Sequence, residues 1–308
     1  MSEHARLNGN GSAGTPQTGR VLPFTIPARS ARGRVARLGP ALAAILSAHD
    51  YPTPLCQLLG EALILTVLIG TTVQKGEGQT TVQAQSKGGP IDLLVCDYRA
   101  GEIRGYLRFD PERMGEIAPG ALLPDLFGAG YLAITIEQSA ADERYQGIVP
   151  LEGDTLCHAV ERYFTDSEQV PTLVRGAVRQ AEDGAWEAGG LLVQHLPHGE
   201  TGGPRLAARM DNRDWEHVLA LASTITDTEL TDSHLSEETV LWRLFNEDEV
   251  RVSPPIGLTR GCRCTVQHFR EVLSRFPTEE LAEMRGPEGT IDVNCEFCSR
   301  LFPIEMRD

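Results

Sequence analysis

"RGCRCTVQHF", residues 260–269, sets two cysteines one residue apart, and "VNCEFCSRLF", residues 293–302, sets two more with two residues between them. Short cysteine pairs, twice over, suit a tetrahedral metal site: each pair supplies two sulfurs to one edge, and the folded segment between them brings the pairs together. Cys262, Cys264, Cys295 and Cys298 are therefore expected to hold one Zn2+ per chain. A thioredoxin-type redox pair fits poorly, because Cys295-Glu296-Phe297-Cys298 does not follow a strand and open a long helix in a βαβ unit.

The flanking residues explain why a metal is needed. Residues 251–308 carry few large apolar side chains, a marginal core for so short a segment. A structural zinc contributes on the order of 10–16 kcal/mol of apparent binding energy. Thr265 is placed to cap a helix over VQHFREVLSRF, with Val266, Phe269, Leu273 and Phe276 on one face. Thr278 is placed to cap EELAEM, Gly286-Pro287 stops it, and TIDVNCEFCSRLF reads as a short hairpin. Eight Arg and no Lys stand against nine acidic residues here, so the basic patch of a nucleic-acid reader is missing. Two metal-site roles stay open. One is a fixed structural clip. The other is a redox-sensitive clip, since metal-bound sulfur is held as the thiolate that peroxide and hypochlorite attack, and oxidised sulfur no longer holds zinc.

The whole chain has 308 residues, 41% of them hydrophobic, with a formal net charge of −15. That charge repels phosphate backbones and makes nucleic acid a poor partner. No secretory h-region stands at the N-terminus, and the most apolar run, LILTVLIG at 63–70, is far short of the ~20 residues of a membrane span. The expected setting is cytoplasmic and membrane-free. Cys56, Cys96 and Cys157 lie in apolar contexts and read as buried, inert thiols.

Four pieces follow along the chain. Residues 1–20 are polar and expected to be a disordered tail; Gly9, Gly11 and Gly14 match GxGxxG but lack the strand and helix a dinucleotide site needs. Residues 21–208 are expected to form an α+β (mixed α/β) domain. VARLGPALAAILSAHD and LCQLLGEALILTVLIG read as helical, and TTVQAQ, IDLLVCDY, EIRGYLRF, GYLAITIEQ, RYQGIVPL and GGLLVQHLP as strands. Asp154 is placed to cap a helix over TLCHAVERYF.

Residues 209–250 hold eleven acidic residues against three basic ones and read as a helical acidic linker. Trp215, Val218, Leu219, Ala222 and Ile225 mark one helix face; Ser236 starts a second helix bearing Val240, Leu241, Leu244 and Phe245. They are expected to be solvated surface helices that self-repulsion makes easy to unfold. Residues 251–308 read as a small zinc-binding domain.

With these stretches set side by side, the chain resembles the redox-regulated 33-kDa heat-shock chaperone (heat-shock protein 33) family. The resemblance rests on the CxC and CxxC cysteines together with RGRVARL at 32–38, GGPIDLLVCDY at 88–98, YQGIVPLEGDTL at 145–156, YFTDSEQVPT at 163–172 and LWRLFNEDEVRV at 241–252. It implies an ATP-independent holdase, inactive when reduced and zinc-bound, with residues 251–308 as its redox-switch domain. Oxidation would then form disulfides Cys262–Cys264 and Cys295–Cys298, release zinc, unfold the C-terminal segment and linker, and expose surface that captures unfolding client proteins, often as a homodimer. Such disulfides close very short loops and constrain the unfolded chain little. No GxxxxGK[ST] occurs, so a P-loop nucleotide cycle is not expected.

Two other functions compete. An enzyme would draw on Glu152, Asp154, Glu161, His195 or His198, yet HLPH is not HExxH and no GxSxG exists. A constitutive zinc-clipped protein-binding module would keep its metal under peroxide. Trp215 and Trp242 read as helix-packing residues.

Overall fold

The computed structural model describes residues 5–6, 19–73, 78–115, 121–138, 143–196 and 212–305. Fifteen strands occur among them: β1 (Ala5–Arg6), β2 (Arg20–Ile26), β3 (Ala31–Arg37), β4 (Gln79–Gly88), β5 (Ile91–Arg99), β6 (Glu102–Phe109), β7 (Gly128–Gln138), β8 (Glu143–Pro150), β9 (Thr172–Gln180), β10 (Trp186–His195), β11 (Arg251–Val252), β12 (Ile256–Gly257), β13 (Thr259–Arg260), β14 (Ile291–Asn294) and β15 (Leu301–Ile304). The α-helices are α1 (Pro40–Leu46), α2 (Thr53–Val73), α3 (Pro111–Met114), α4 (Leu123–Phe127), α5 (Leu156–Tyr163), α6 (Asn212–Ala222), α7 (Asp227–Thr231), α8 (Glu237–Phe245), α9 (Val266–Leu273) and α10 (Thr278–Met284). The result is a mixed helix-and-sheet fold.

The first sheet runs β1-β11-β2-β3-β10-β9, with β12 also on β2; the second runs β13-β6-β5-β4-β7-β8; β14 and β15 form a hairpin. Pairing is antiparallel throughout except for β13, which lies parallel to β6. Between the two larger sheets lies α2, whose Leu59, Leu63 and Leu68 share one core with Ala36 and Leu192 of the first sheet and Leu94 and Leu107 of the second. A Cβ at Gly190 would sit 2.9 Å from both Ile64 and Leu68, so glycine there lets α2 press onto the first sheet. The expectation of a short apolar run is corrected: α2 has 21 residues, and Thr53–Thr72 is long and apolar enough to cross a membrane. The helix continues through Glu61 because its half-buried carboxyl group finds a partner, accepting the Cys157 backbone N–H at 3.1 Å. Sheets on both sides bury 78% of that stretch.

Several local expectations change. VAR at 35–37 belongs to β3 rather than to a helix, because Gly39 takes φ 53°, closed to most side chains, and breaks the chain before α1. The cap of α5 is Thr155, whose hydroxyl accepts from the His158 N–H at 3.4 Å, one residue after the expected Asp154. Strands β2 and β9 were not expected. Ala5–Arg6, inside the expected tail, pairs with Arg251–Val252; the rest of residues 1–18, with the GxGxxG glycines, and the loop with His198 lie outside the described residues.

The acidic segment forms three helices, not two, and they are not solvated surface helices. They cover the first sheet on the face opposite α2, where Leu22, Phe24, Val35, Leu191 and Val193 pack against Trp215, Val218, Val240, Leu241 and Phe245. Phe24 and Phe245 rings lie 5.9 Å apart. Amphipathic patterning outweighs charge density here because the sheet side supplies the counter-charges. Arg20 Nη2 donates to Glu237 at 2.5 Å and to Glu238 at 2.7 Å. Arg29 bonds Asp214 at 2.7 Å and Asp248 at 2.9 Å. The buried Arg37 donates to the backbone carbonyls of Glu229 (2.8 Å), Leu230 (3.0 Å) and Leu235. Ser236 caps α8 as expected. Trp215 is buried, whereas Trp242 is 48% exposed, so only the first is a packing residue.

Candidate metal centre

The chain enters the C-terminal module along β6. The parallel pairing of β13 is extended by the Gly261 N–H donating to the Ile103 carbonyl at 2.9 Å, which delivers Cys262 beside the second sheet. Thr265 then caps α9, its hydroxyl accepting from the His268 N–H at 3.0 Å. Cys295 and Cys298 occupy the turn of the β14–β15 hairpin: the Cys298 and Ser299 N–H groups donate to the Cys295 carbonyl at 3.2 and 2.8 Å, and Ser299 takes φ 53°. This tight turn points two sulfurs the same way.

The fold brings the four expected sulfurs together. Cys262 and Cys264 Sγ lie 3.1 Å apart, Cys262 and Cys295 3.6 Å, and Cys264 and Cys298 3.5 Å. All four fall within 4.8 Å of one another. A disulfide would need about 2.05 Å, so none of the four is joined to another by a disulfide. Tetrahedral Zn–S bonds of ~2.3 Å put sulfurs roughly 3.8 Å apart, and the four-sulfur donor set therefore fits a zinc ion. Burial pushes the Cys262 thiol up, but hydrogen bonds from Cys264, Cys298 and Cys295 outweigh it and hold it down at about 7. Burial and the neighbouring sulfurs, Cys262 and Cys298 among them, push Cys264 and Cys295 up.

The module's own core is small: Leu273, Ile291, Cys295, Phe302 and Ile304, with Phe269 5.0 Å from Phe302. Val266 and Phe276, expected on that core face, are exposed, because the helix ends at Leu273 and the core reaches only one turn of it. Thr278 is the first residue of α10 rather than its cap; Pro277 holds the cap position without a side-chain bond.

Residues between the cysteines dock this module, and the sequence reading missed them. Phe297 sits edge-on to Tyr106 at 4.9 Å, under the Arg104 guanidinium at 4.0 Å. Arg104 is held by Asp97 at 2.7 Å. Arg263 donates to Gln79 at the start of β4. Ser299 Oγ lies 3.2 Å from His49 Nδ1, and burial lowers the pKa of that ring, which stacks on Tyr51 at 4.7 Å. An aromatic residue inside a cysteine knuckle was the available signal, since a knuckle can turn it only outward.

The remaining thiols are separate. Cys56, Cys96 and Cys157 are buried, and burial pushes all three up, reinforced by Asp97 at Cys96 and by Glu61 at Cys157. The acid–base candidates do not converge either: Glu152 pairs with Arg162, Glu161 accepts from the Val174 N–H and Arg175, and His195 lies buried 5.9 Å from Trp215.

A family model described as Hsp33 protein matches residues 19–305. The chain belongs to the Hsp33 family. This Hsp33 family member is 43% identical over 293 residues to the 33 kDa chaperonin of Caulobacter vibrioides, covering 92% of this chain and 94% of that one. It is 36% identical over 295 residues to the 33 kDa chaperonin of Escherichia coli, covering 95% and 94%. The crystal structure of the 33 kDa chaperonin (heat shock protein 33 homolog) from Thermotoga maritima aligns with a TM-score of 0.76 at 20% identity, over 94% of this chain and 95% of that one, and shares the fold. The chain is thus a chaperone of this family, and the resemblance drawn from its motifs holds.

Proposed function

We propose that this chaperone is a redox-regulated, ATP-independent holdase whose switch is the four-cysteine site. Cys262, Cys264, Cys295 and Cys298 would hold one Zn2+, which when bound keeps the sulfurs as thiolates and cross-links the two knuckles. The observation that carries the reading is the convergence of these four sulfurs within 4.8 Å, in a module with too small a core to stand without them.

Two sulfurs of each knuckle then give up two electrons to an oxidant such as hydrogen peroxide, which is reduced to water, and form disulfides Cys262–Cys264 and Cys295–Cys298. Sulfurs engaged in disulfides no longer serve as a thiolate ligand set. The knuckles change shape, Phe297 and Arg263 lose their register on the second sheet, and the module unfolds. The acidic linker, residues 209–250, follows and uncovers apolar surface on the chaperone domain, residues 21–208, for unfolding client proteins. The oxidised form acts as a homodimer. Thiols reduced at rest suit a cytoplasmic setting. A basic nucleic-acid surface, a nucleotide cycle and turnover play no part in this reading.

Client aggregation, followed by light scattering without ATP, tests it: oxidised protein is expected to suppress aggregation and reduced, zinc-loaded protein is not. Equal suppression by both forms would leave a constitutive zinc-clipped module instead.

A further inference from the structure

The acidic helices cover the face of the first sheet opposite α2, and their contacts describe what that face selects. The floor around Phe24 is apolar, as for any holdase surface, but arginines border it: Arg20, Arg29 and Arg179 at its edge and the buried Arg37 all reach the covering segment. On the linker side three of the acids stand at helix starts, and a fourth, Asp248, follows α8 and also meets Arg29 at 2.9 Å. Glu237 and Glu238 open α8 and meet Arg20; Asp214, in the first turn of α6, meets Arg29. At a helix end, Arg37 gathers the carbonyls of Glu229 and Leu230, and Arg179 reaches the Thr231 carbonyl at 3.3 Å. Glu187, held by Arg179 at 2.6 Å, is the acid this rim itself contributes among these contacts. Guanidinium groups favour planar carboxylates and can also satisfy the free carbonyls of a helix C-terminus, whatever its sequence.

We propose that the sheet face uncovered by the linker preferentially binds short amphipathic helical segments with acidic residues in their first turn, so that the linker is a built-in competitor for clients of its own chemistry. This rests on the holdase reading and narrows its client class. A face that recognised only apolar surface would be indifferent to charge; this one pairs four arginines with the segment that covers it.

The test uses the oxidised full chain and a fluorescent peptide of residues 212–248, read by anisotropy. A second peptide carries Asp214→Lys, Glu237→Lys, Glu238→Lys and Asp248→Lys with the apolar stripe unchanged. The native-sequence peptide is expected to bind at least tenfold tighter at low salt, with the gap shrinking as screening rises. Arg20→Glu with Arg29→Glu in the full chain should reverse the order of the two peptides; if that variant fails to fold, the salt series on the native chain decides. Equal binding, or no binding of either peptide, overturns the proposal. Light scattering with a denatured client on the same sample separates the cases: suppression without peptide discrimination removes only this inference, and no suppression removes the holdase reading.

Discussion

Phe297 meets Tyr106 edge-on, ring centroids 4.9 Å apart at 83°, although the two residues belong to the cysteine knuckle and the second sheet. The contact ties the chemistry of the sulfurs to the position of the whole module, because Phe297 lies between two of them. Phe297→Ala removes this contact and the Arg104 cation–π contact, together worth about 1–2 kcal/mol. The variant is expected to keep the full zinc stoichiometry yet show faster amide exchange in β14 and β15 and switch at a lower peroxide dose. Unchanged exchange would mean that Phe297 does not dock the module.

Arg37 provides a second test, independent of sulfur chemistry. It is buried, and its guanidinium satisfies three carbonyls of the acidic segment. Arg37→Leu strands those acceptors, at about 1–3 kcal/mol each where water stays excluded. The linker should loosen in the reduced protein and client capture should begin without oxidant, as read by light scattering. A reduced variant that remains inactive would separate linker docking from activity.

Acid acts on the same surface through Asp248. Burial pushes its carboxyl up, but hydrogen bonds from Arg29 and His217 outweigh it and hold the carboxyl below the usual range. A folded-state value below the unfolded value of ~3.9 means the stabilisation is complete above that value and is lost as pH falls through the folded one. Trp215 fluorescence should therefore report undocking of α6 at pH below about 4. Asp248→Asn is expected to be less stable than the native chain at neutral pH and to converge with it in strong acid.

Thiol selectivity divides the seven cysteines. A soluble alkylating reagent should leave Cys56, Cys96 and Cys157 unmodified in the native, zinc-loaded protein, since burial holds each as an unreactive thiol. Cys157→Ala is expected to switch like the native chain, and Cys298→Ser to lose metal and client regulation. Peptide mapping by mass spectrometry checks both.

The four-cysteine cluster was readable from sequence because its spacing is local: two knuckles carry their geometry in three or four residues each. The hairpin, the Ser236 and Thr265 caps and most strands of the second sheet were readable for the same reason. VARLGPALAAIL misled because its apolar residues run straight across the break at Gly39, so strand and helix merged into one pattern. TLVRGAVRQ, which forms β9, shows no strand pattern in sequence because its polar residues blur the alternation; it is a strand through its pairing with β10. The buried face of the acidic helices depended on Arg20, Arg29 and Arg37, roughly two hundred residues away in sequence. Local pattern carries no trace of such counter-charges, and charge density alone pointed to solvent.

The most direct measurement follows metal release with a chromogenic chelator and client light scattering together, as reduced, zinc-loaded protein is oxidised without ATP. One zinc per chain is expected to leave as aggregation suppression rises, both on the time course of disulfide formation within the two knuckles. Zinc retained while suppression rises, or released with no gain in client capture, would contradict the redox-switch reading.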